Sequence, residues 1–439
     1  MKFYNREEEI VQIQRIKEKA YSDHSKLTVI TGRRRIGKTS LIFNALRNER
    51  IIYFFVGRKS EADLCTGFCK EIENKLSLFV PQMNTFTEVF RFIMELGKNR
   101  KFTLVIDEFQ EFENVNASIF SDIQNYWDQY RTSTNVNFIV SGSIYSLMIK
   151  IFQDRKEPLF GRADVMMKLN PFNTSVLKEI LADYKPDYTC DELLALYTYT
   201  GGIPKYVELL ADNAALTIPE MIGYICQSDS PFIDEGKNLL IGEFGKKYGN
   251  YFSIISAISS GINTQSEIEV FMGEKSIGGQ LSKLETIYDV IRKTRPIFAK
   301  EGSQTVRYEV SDNFLRFWFR YIEHNRQMVE LNNFQGLAEL IMADYTTYSG
   351  KMLELYFKQK LQESHDFKMI GSWWEPKDNS NEIDIVAISL DDKHAYIAEV
   401  KRQRKNFKQL LFEGKIEYLK TKVLNKYSIR AECLTLEDM

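Results

Sequence analysis

The octet GRRRIGKT, residues 32–39, matches the spacing G-x-x-x-x-G-K-[ST]. Glycines at the first and sixth places let backbone N–H groups close around phosphates. Lys38 is placed to reach the β- and γ-phosphates. Thr39 is placed to ligate Mg²⁺ at a helix N-terminus. The expected nucleotide-binding set is therefore Gly32, Arg33, Arg34, Arg35, Ile36, Gly37, Lys38, Thr39 and Ser40. A second acidic signal stands in KFTLVIDEFQEF, residues 101–112, where an apolar run delivers Asp107 and Glu108 to the end of a strand. Ligands sit at that end in open parallel sheets. Asp107 suits a metal held through water, and Glu108 suits the polarising of an attacking water. Ser141 and Ser143 close a third apolar run, where they either sense the γ-phosphate or cap a helix.

The last hundred residues hold another constellation. Glu354 lies on an amphipathic helix, Asp384 in the strand-like NEIDIVAIS, and Glu399 and Lys401 in AYIAEVK. Residues at i and i+2 of a strand share a face. Carboxylates on adjacent strands can share Mg²⁺ or Mn²⁺, which activates water and stabilises a phosphodiester's developing charge. Lys401 would orient that water or stabilise the phosphate. Five of the eight residues 401–408 are basic, and they read as the start of a helix facing a nucleic-acid backbone. The other reading is a retained fold with a structural ion cluster.

These residues need elements to hold them. Residues 27–31, 51–57, 101–107 and 137–141 read as strands separated by helices, which predicts a parallel α/β domain. From 171 to 240 the period is helical. GGIPKYVELL, residues 201–210, is a helix start with Pro204 in its first turn. Residues 250–287 read as three short helices, and 290–312 as two strands around the tip KEGSQ, the plan of a winged helix-turn-helix. Lys283, Arg292, Lys293, Arg295, Lys300 and Arg307 there either hold phosphates or decorate a protein-contact module. The aromatic run 313–325 reads as packing.

With these motifs in view, the chain resembles archaeal and bacterial P-loop ATPases of the AAA+/STAND group. Phe3 with Arg6, Glu7 and Glu9, then residues 32–41, then Asp107 with Glu108 and Gln110, then Gly201, Gly202 and Pro204 stand in that family's order. The resemblance spans about residues 1–235. It implies that the N-terminal segment with Arg6 lies by the adenine and that the segment with Pro204 approaches the nucleotide from a helical lid. Arg162, in PLFGRAD, is a candidate stabiliser of γ-phosphate charge in cis or in trans; its other reading is a surface salt bridge. The C-terminal order of helix-Glu, strand, strand-Asp, strand-Glu-x-Lys and helix resembles the PD-(D/E)xK nuclease fold, and such ATPases often carry that domain.

The expected chain is thus an ATPase core over 1–170, a lid over 171–242, a winged helix over 243–312, a helical linker over 313–345 and an α/β nuclease-like domain over 346–439. ATP and Mg²⁺ are its expected cofactors, with Mg²⁺ or Mn²⁺ at the C-terminal site. DNA and a second copy of the chain are expected partners. The alternative is a nucleotide-controlled switch whose last domain is inert.

Composition bounds these readings. The 439 residues carry a net charge of −2, so any nucleic-acid site must be a local patch. Five scattered cysteines without a C-x-x-C pair, and four histidines, argue against a zinc cluster and for a reducing, cytoplasmic setting. The charged N-terminus and the lack of an 18-residue apolar run predict neither a signal peptide nor a membrane span.

Overall fold

The computed structural model describes the chain except residues 246–247, 301, 304 and 376–380. The chain divides into two compact units: Asn5–Asn170, and Met1–Tyr4 together with Pro171–Met439.

The first unit is built on five strands: β1 (Lys26–Thr31), β2 (Ile51–Phe55), β3 (Phe102–Asp107), β4 (Val136–Gly142) and β5 (Val165–Lys168). They pair in the order β2-β3-β4-β1-β5, and every pairing is parallel. Parallel neighbours need crossovers, which the helices supply, and these bury both faces of the sheet. That is why β3 and β4 are buried along their whole length. Leu27, Val29, Phe54, Leu104, Phe138 and Trp127 belong to one core. Because the strands run the same way, their carboxyl ends gather on one edge, with the phosphate loop after β1, Asp107 at the end of β3 and Ser141 near the end of β4. The strand β5 escapes a sequence reading: it is four residues long, on a sheet edge, and methionine-rich.

The second unit opens with the helices Thr174–Tyr184, Cys190–Thr200, Pro204–Asp212, Ile218–Ile225 and Phe232–Phe244. Three short helices follow, Gly249–Ser259, Gln265–Phe271 and Gly278–Thr286. Then comes an antiparallel pair, β6 (Ile291–Thr294) with β7 (Arg307–Val310). In the tip KEGSQ, Glu301 and Gln304 lie outside the described residues. The aromatic run is core: Phe314, Phe317, Trp318, Phe319 and Tyr321 are all buried.

One helix, Phe334–Glu363, runs for 30 residues through the expected boundary at 345/346, since no proline interrupts it. After it come β8 (Phe367–Trp373), β9 (Ile383–Ser389) and β10 (His394–Val400), an antiparallel meander. The helix Gln409–Lys422 then crosses over to β11 (Ser428–Leu434), which pairs parallel with β10. The basic run is not the start of that helix. Residues 404–406 form a single 3-10 turn, and the α-helix begins at Gln409. Arg402 and Arg404 are drawn instead to Asp191 and Asp438.

Candidate functional site

The phosphate loop joins β1 to the helix Lys38–Ala45. Gly37, at the N-cap, has φ 90°, a left-handed value that glycine takes without strain. Gly32 has φ 152°, and a Cβ there would stand 3.0 Å from the Leu169 carbonyl oxygen and from Ile36 Cγ2. Lys38 folds back over the loop and donates from Nζ to the carbonyl oxygens of Gly32 (2.9 Å) and Arg33 (3.2 Å). Its ammonium is therefore held against the loop backbone that precedes the helix Lys38–Ala45. Ile36 is buried, whereas Arg34 and Ser40 are exposed.

The acidic pair sits beside this loop. Thr39 Oγ1 and Tyr53 Oη both donate to Asp107 Oδ2 at 2.7 Å. Ser141 Oγ donates to Oδ1 at 2.6 Å, and the Glu108 backbone N–H donates to the same atom at 3.0 Å. Glu108 has φ 53°, an uncommon conformation for a residue with a side chain. Its Oε2 accepts from Gln110 Nε2 (2.6 Å), Ser143 Oγ (2.7 Å) and the Ser143 N–H (3.3 Å). Thr39, Asp107, Glu108, Ser141 and Ser143 thus form one connected patch at the start of the helix Lys38–Ala45 and the carboxyl ends of β3 and β4. A hydroxyl and a carboxylate converging at a helix N-terminus suit a hard, oxygen-loving cation such as Mg²⁺. Tyr53 is absent from the sequence reading; its one signal is a lone phenol in the otherwise apolar strand IIYFF.

Arg6 caps the helix Glu7–Ser22 with φ 82°, and it donates to Glu9 and to the Asn170 carbonyl oxygen. Asn170 follows Leu169, the residue touching Gly32, so Arg6 lies at the phosphate-loop edge of the sheet. Pro204 opens the helix Pro204–Asp212 in the second unit. Arg162 requires a correction. β5 begins beside Thr28, and Asp164 bonds Leu27, so Arg162 stands at the amino edge of the sheet. The six residues of β1, about 20 Å of strand, separate it from the loop. There Arg162 pairs with Asp128 at 2.9 Å. It does not reach the γ-phosphate of its own chain, and the surface salt bridge is the arrangement found.

In the C-terminal domain, Asp384 Oδ2 accepts from the Val400 N–H at 2.8 Å and lies 3.7 Å from Lys401 Nζ. Glu399 is 3.0 Å from Lys401 and 3.3 Å from Lys415. Glu354 pairs with Lys351 at 2.6 Å, one turn before Lys358, which donates to Ser372 Oγ. Burial, then the neighbouring Glu399, pushes the Asp384 carboxyl up. Burial, opposed by Lys351, also pushes Glu354 up, and the charge of Asp384 adds to it. Burial, then the charge of Lys351, pulls the Lys358 ammonium down. Asp384, Glu399 and Lys401 do come together. Among the described residues, however, no three His, Cys, Asp or Glu side chains converge on one point, because each carboxylate turns to a lysine.

The hairpin's charge is largely spent within the molecule. Arg292 pairs with Glu309, Lys293 with Glu285, and Arg307 with Glu382 while lying over the Trp374 ring. Lys283, Arg295 and Lys300 are exposed without a carboxylate partner among the described residues.

The parallel sheet, the glycine-bounded loop and the acid at the end of β3 define the P-loop α/β fold. Residues 3–210 match the family model of an ATPase domain predominantly from Archaea. Residues 318–410 match a family of archaeal and bacterial proteins of unknown function. An uncharacterized protein of Methanocaldococcus jannaschii is 29% identical over 408 residues, which cover 91% of this chain and 87% of that protein. Among solved structures, a Walker-type ATPase of Pyrococcus abyssi is similar with TM-score 0.55 and 20% identity, over 72% of this chain and 96% of that one. That likeness is one of fold. No helix among the described residues is long and apolar enough to cross a membrane.

Proposed function

We propose that the chain binds and hydrolyses ATP at the loop Gly32–Ser40, and that nucleotide state governs the C-terminal domain. The observation that carries the first part is the hydrogen-bonded patch of Thr39, Asp107, Ser141, Glu108 and Ser143 beside a loop that already holds Lys38. Loop N–H groups and Lys38 bind the β- and γ-phosphates. When bound, Mg²⁺ supplies further neutralisation of phosphate charge, with Thr39 and Asp107 as the residues that hold it. Glu108 orients and polarises the attacking water through Oε1, while Ser143 and Gln110 fix Oε2. Arg6 contributes to the nucleotide's surroundings, as the family resemblance implies. Any catalytic part for Arg162 must come in trans, from a second copy; specific activity independent of protein concentration across a monomer–oligomer range would exclude it.

For the C-terminal domain, we propose handling of a nucleic-acid backbone, with the hairpin as an accessory contact. Support comes from the order helix, three antiparallel strands, helix, parallel strand, and from Asp384, Glu399 and Lys401 meeting at strand ends as a PD-(D/E)xK site requires. The lysine pairing of each carboxylate favours the second reading, an inert domain in a nucleotide-controlled switch. Two experiments test these proposals, the first the phosphate site and the second the choice between the two readings. Lys38→Ala should abolish ATP hydrolysis; unchanged turnover sinks the phosphate-site assignment. Wild-type protein is incubated with DNA or RNA plus Mg²⁺ or Mn²⁺, with and without ATP. Cleavage that Asp384→Ala removes, with ATPase activity intact, supports the nuclease reading. No cleavage under any condition gives the switch.

A further inference from the structure

Asp107 is saturated. Its two oxygens accept four hydrogen bonds: Thr39 and Tyr53 on Oδ2, Ser141 and the Glu108 N–H on Oδ1. A carboxylate offers about four lone-pair sites. A metal-bound water that is to donate to Asp107 must therefore displace one of the donors already there. Three of them are fixed. The Glu108 N–H is backbone. Ser141 is fully buried inside β4. Thr39 belongs to the first turn of the loop helix, and a hydroxyl can offer its lone pair to a cation while still donating its proton to Asp107. Tyr53 differs from them. It sits on β2, the edge strand beside β3, and is half-buried. Its ring rests against Phe43 at 5.2 Å between centroids, and its hydroxyl alone touches the site.

We infer that the Tyr53 hydroxyl is a placeholder on Asp107, occupying the position that a magnesium-bound water takes when the nucleotide arrives. The inference rests on the reading of Thr39 and Asp107 as the magnesium-holding pair. Tyr53 is then a positioning residue with a definite sign. It keeps Asp107 aimed and hydrogen-bonded in the metal-free site, and it competes with the metal's water shell. Deleting the hydroxyl frees one lone pair on Oδ2 while three donors still fix the carboxylate. The metal should therefore bind more tightly in its absence.

The test is equilibrium ATP binding by calorimetry, first in EDTA and then across a Mg²⁺ titration, for wild type and Tyr53→Phe. This variant keeps the ring against Phe43 and removes only the hydroxyl. ATP affinity in EDTA should be the same in both proteins. The Mg²⁺ concentration giving half of the metal-dependent gain in affinity should fall about tenfold in the variant, the size of one hydrogen bond to a charged group. Ser141→Ala, which empties a site on Oδ1 instead, should not lower it. An equal or higher Mg²⁺ requirement in Tyr53→Phe overturns the proposal. Wild-type protein that binds no ATP, or Lys38→Ala that binds it as well as wild type does, overturns the nucleotide-site reading itself, and the Tyr53 proposal falls with it.

Discussion

Glu108 shows how much of the role proposed for a residue lies in its surroundings. Its backbone is in the left-handed region, and three donors from Gln110 and Ser143 hold one carboxylate oxygen. A glutamine at this position keeps the size but cannot take a proton. Glu108→Gln should therefore keep ATP affinity near wild type while kcat drops about 10²- to 10³-fold, read by steady-state phosphate release against calorimetric binding. Equal losses in binding and turnover would instead mark the residue as part of the loop's scaffold. Gly32, Gly37, Lys38, Thr39 and Asp107 were legible in the sequence because their chemistry is local: one loop, one strand end. Tyr53 was not, since its partner is 54 positions away and only strand pairing brings the two together.

The hairpin β6–β7 shows the same limit for an element. Its two strands and their basic residues could be read from alternation. The destination of those charges could not. Arg292 faces Glu309 directly across the ladder, and Arg316 approaches the same carboxylate at 3.9 Å. Burial alone would raise the Glu309 carboxyl, but the charges of Arg316, Arg292 and Lys351 outweigh it and bring it from 4.5 down to about 2. A folded value below the unfolded one contributes stability that is present above about pH 4.5 and lost as pH falls toward 2. Glu309→Gln should therefore cost about 3 kcal/mol at pH 7, and its stability should change less than that of wild type between pH 4.5 and 2. Denaturant midpoints across that range measure it; parallel curves for the two proteins would contradict the assignment. The helix Phe334–Glu363 gives the converse case. Its apolar spacing was readable over 348–363, but its first 12 residues, 334–345, read as a separate linker, because nothing local marks where an uninterrupted helix enters a new layer.

Across the second unit, distant segments are stitched by part-buried polar contacts. Arg402 donates to Asp191 at 2.6 Å and to Ser349 at 2.5 Å and lies over the Tyr345 ring, while Tyr345 also donates to Asp191. Glu363, the last residue of the long helix, accepts from the Thr174 N–H at the start of the helix Thr174–Tyr184. The helices that follow Pro171 and the C-terminal sheet belong to one compact unit. Arg402→Ala leaves Asp191 without its cation and should lower that unit's stability by about 2–3 kcal/mol, seen as an earlier denaturant transition with ATP affinity unchanged. A shift below 0.5 kcal/mol would show that the contact is ornamental.

By itself the sequence determined the glycine-bounded loop, the acidic strand end, the parallel α/β class and the helix and three strands that lead to Val400, but not the last strand Ser428–Leu434. Each of these is written in short-range spacing, of 2 for strands, 3.6 for helices and fixed offsets around glycines. Only the tertiary structure decided which charges are available. It sent Arg162 to the amino edge of the sheet, Arg402 inward to Asp191 and a lysine to each of Glu354, Asp384 and Glu399. A charge finds its partner through space, across up to 211 positions of chain, and no local pattern encodes that meeting.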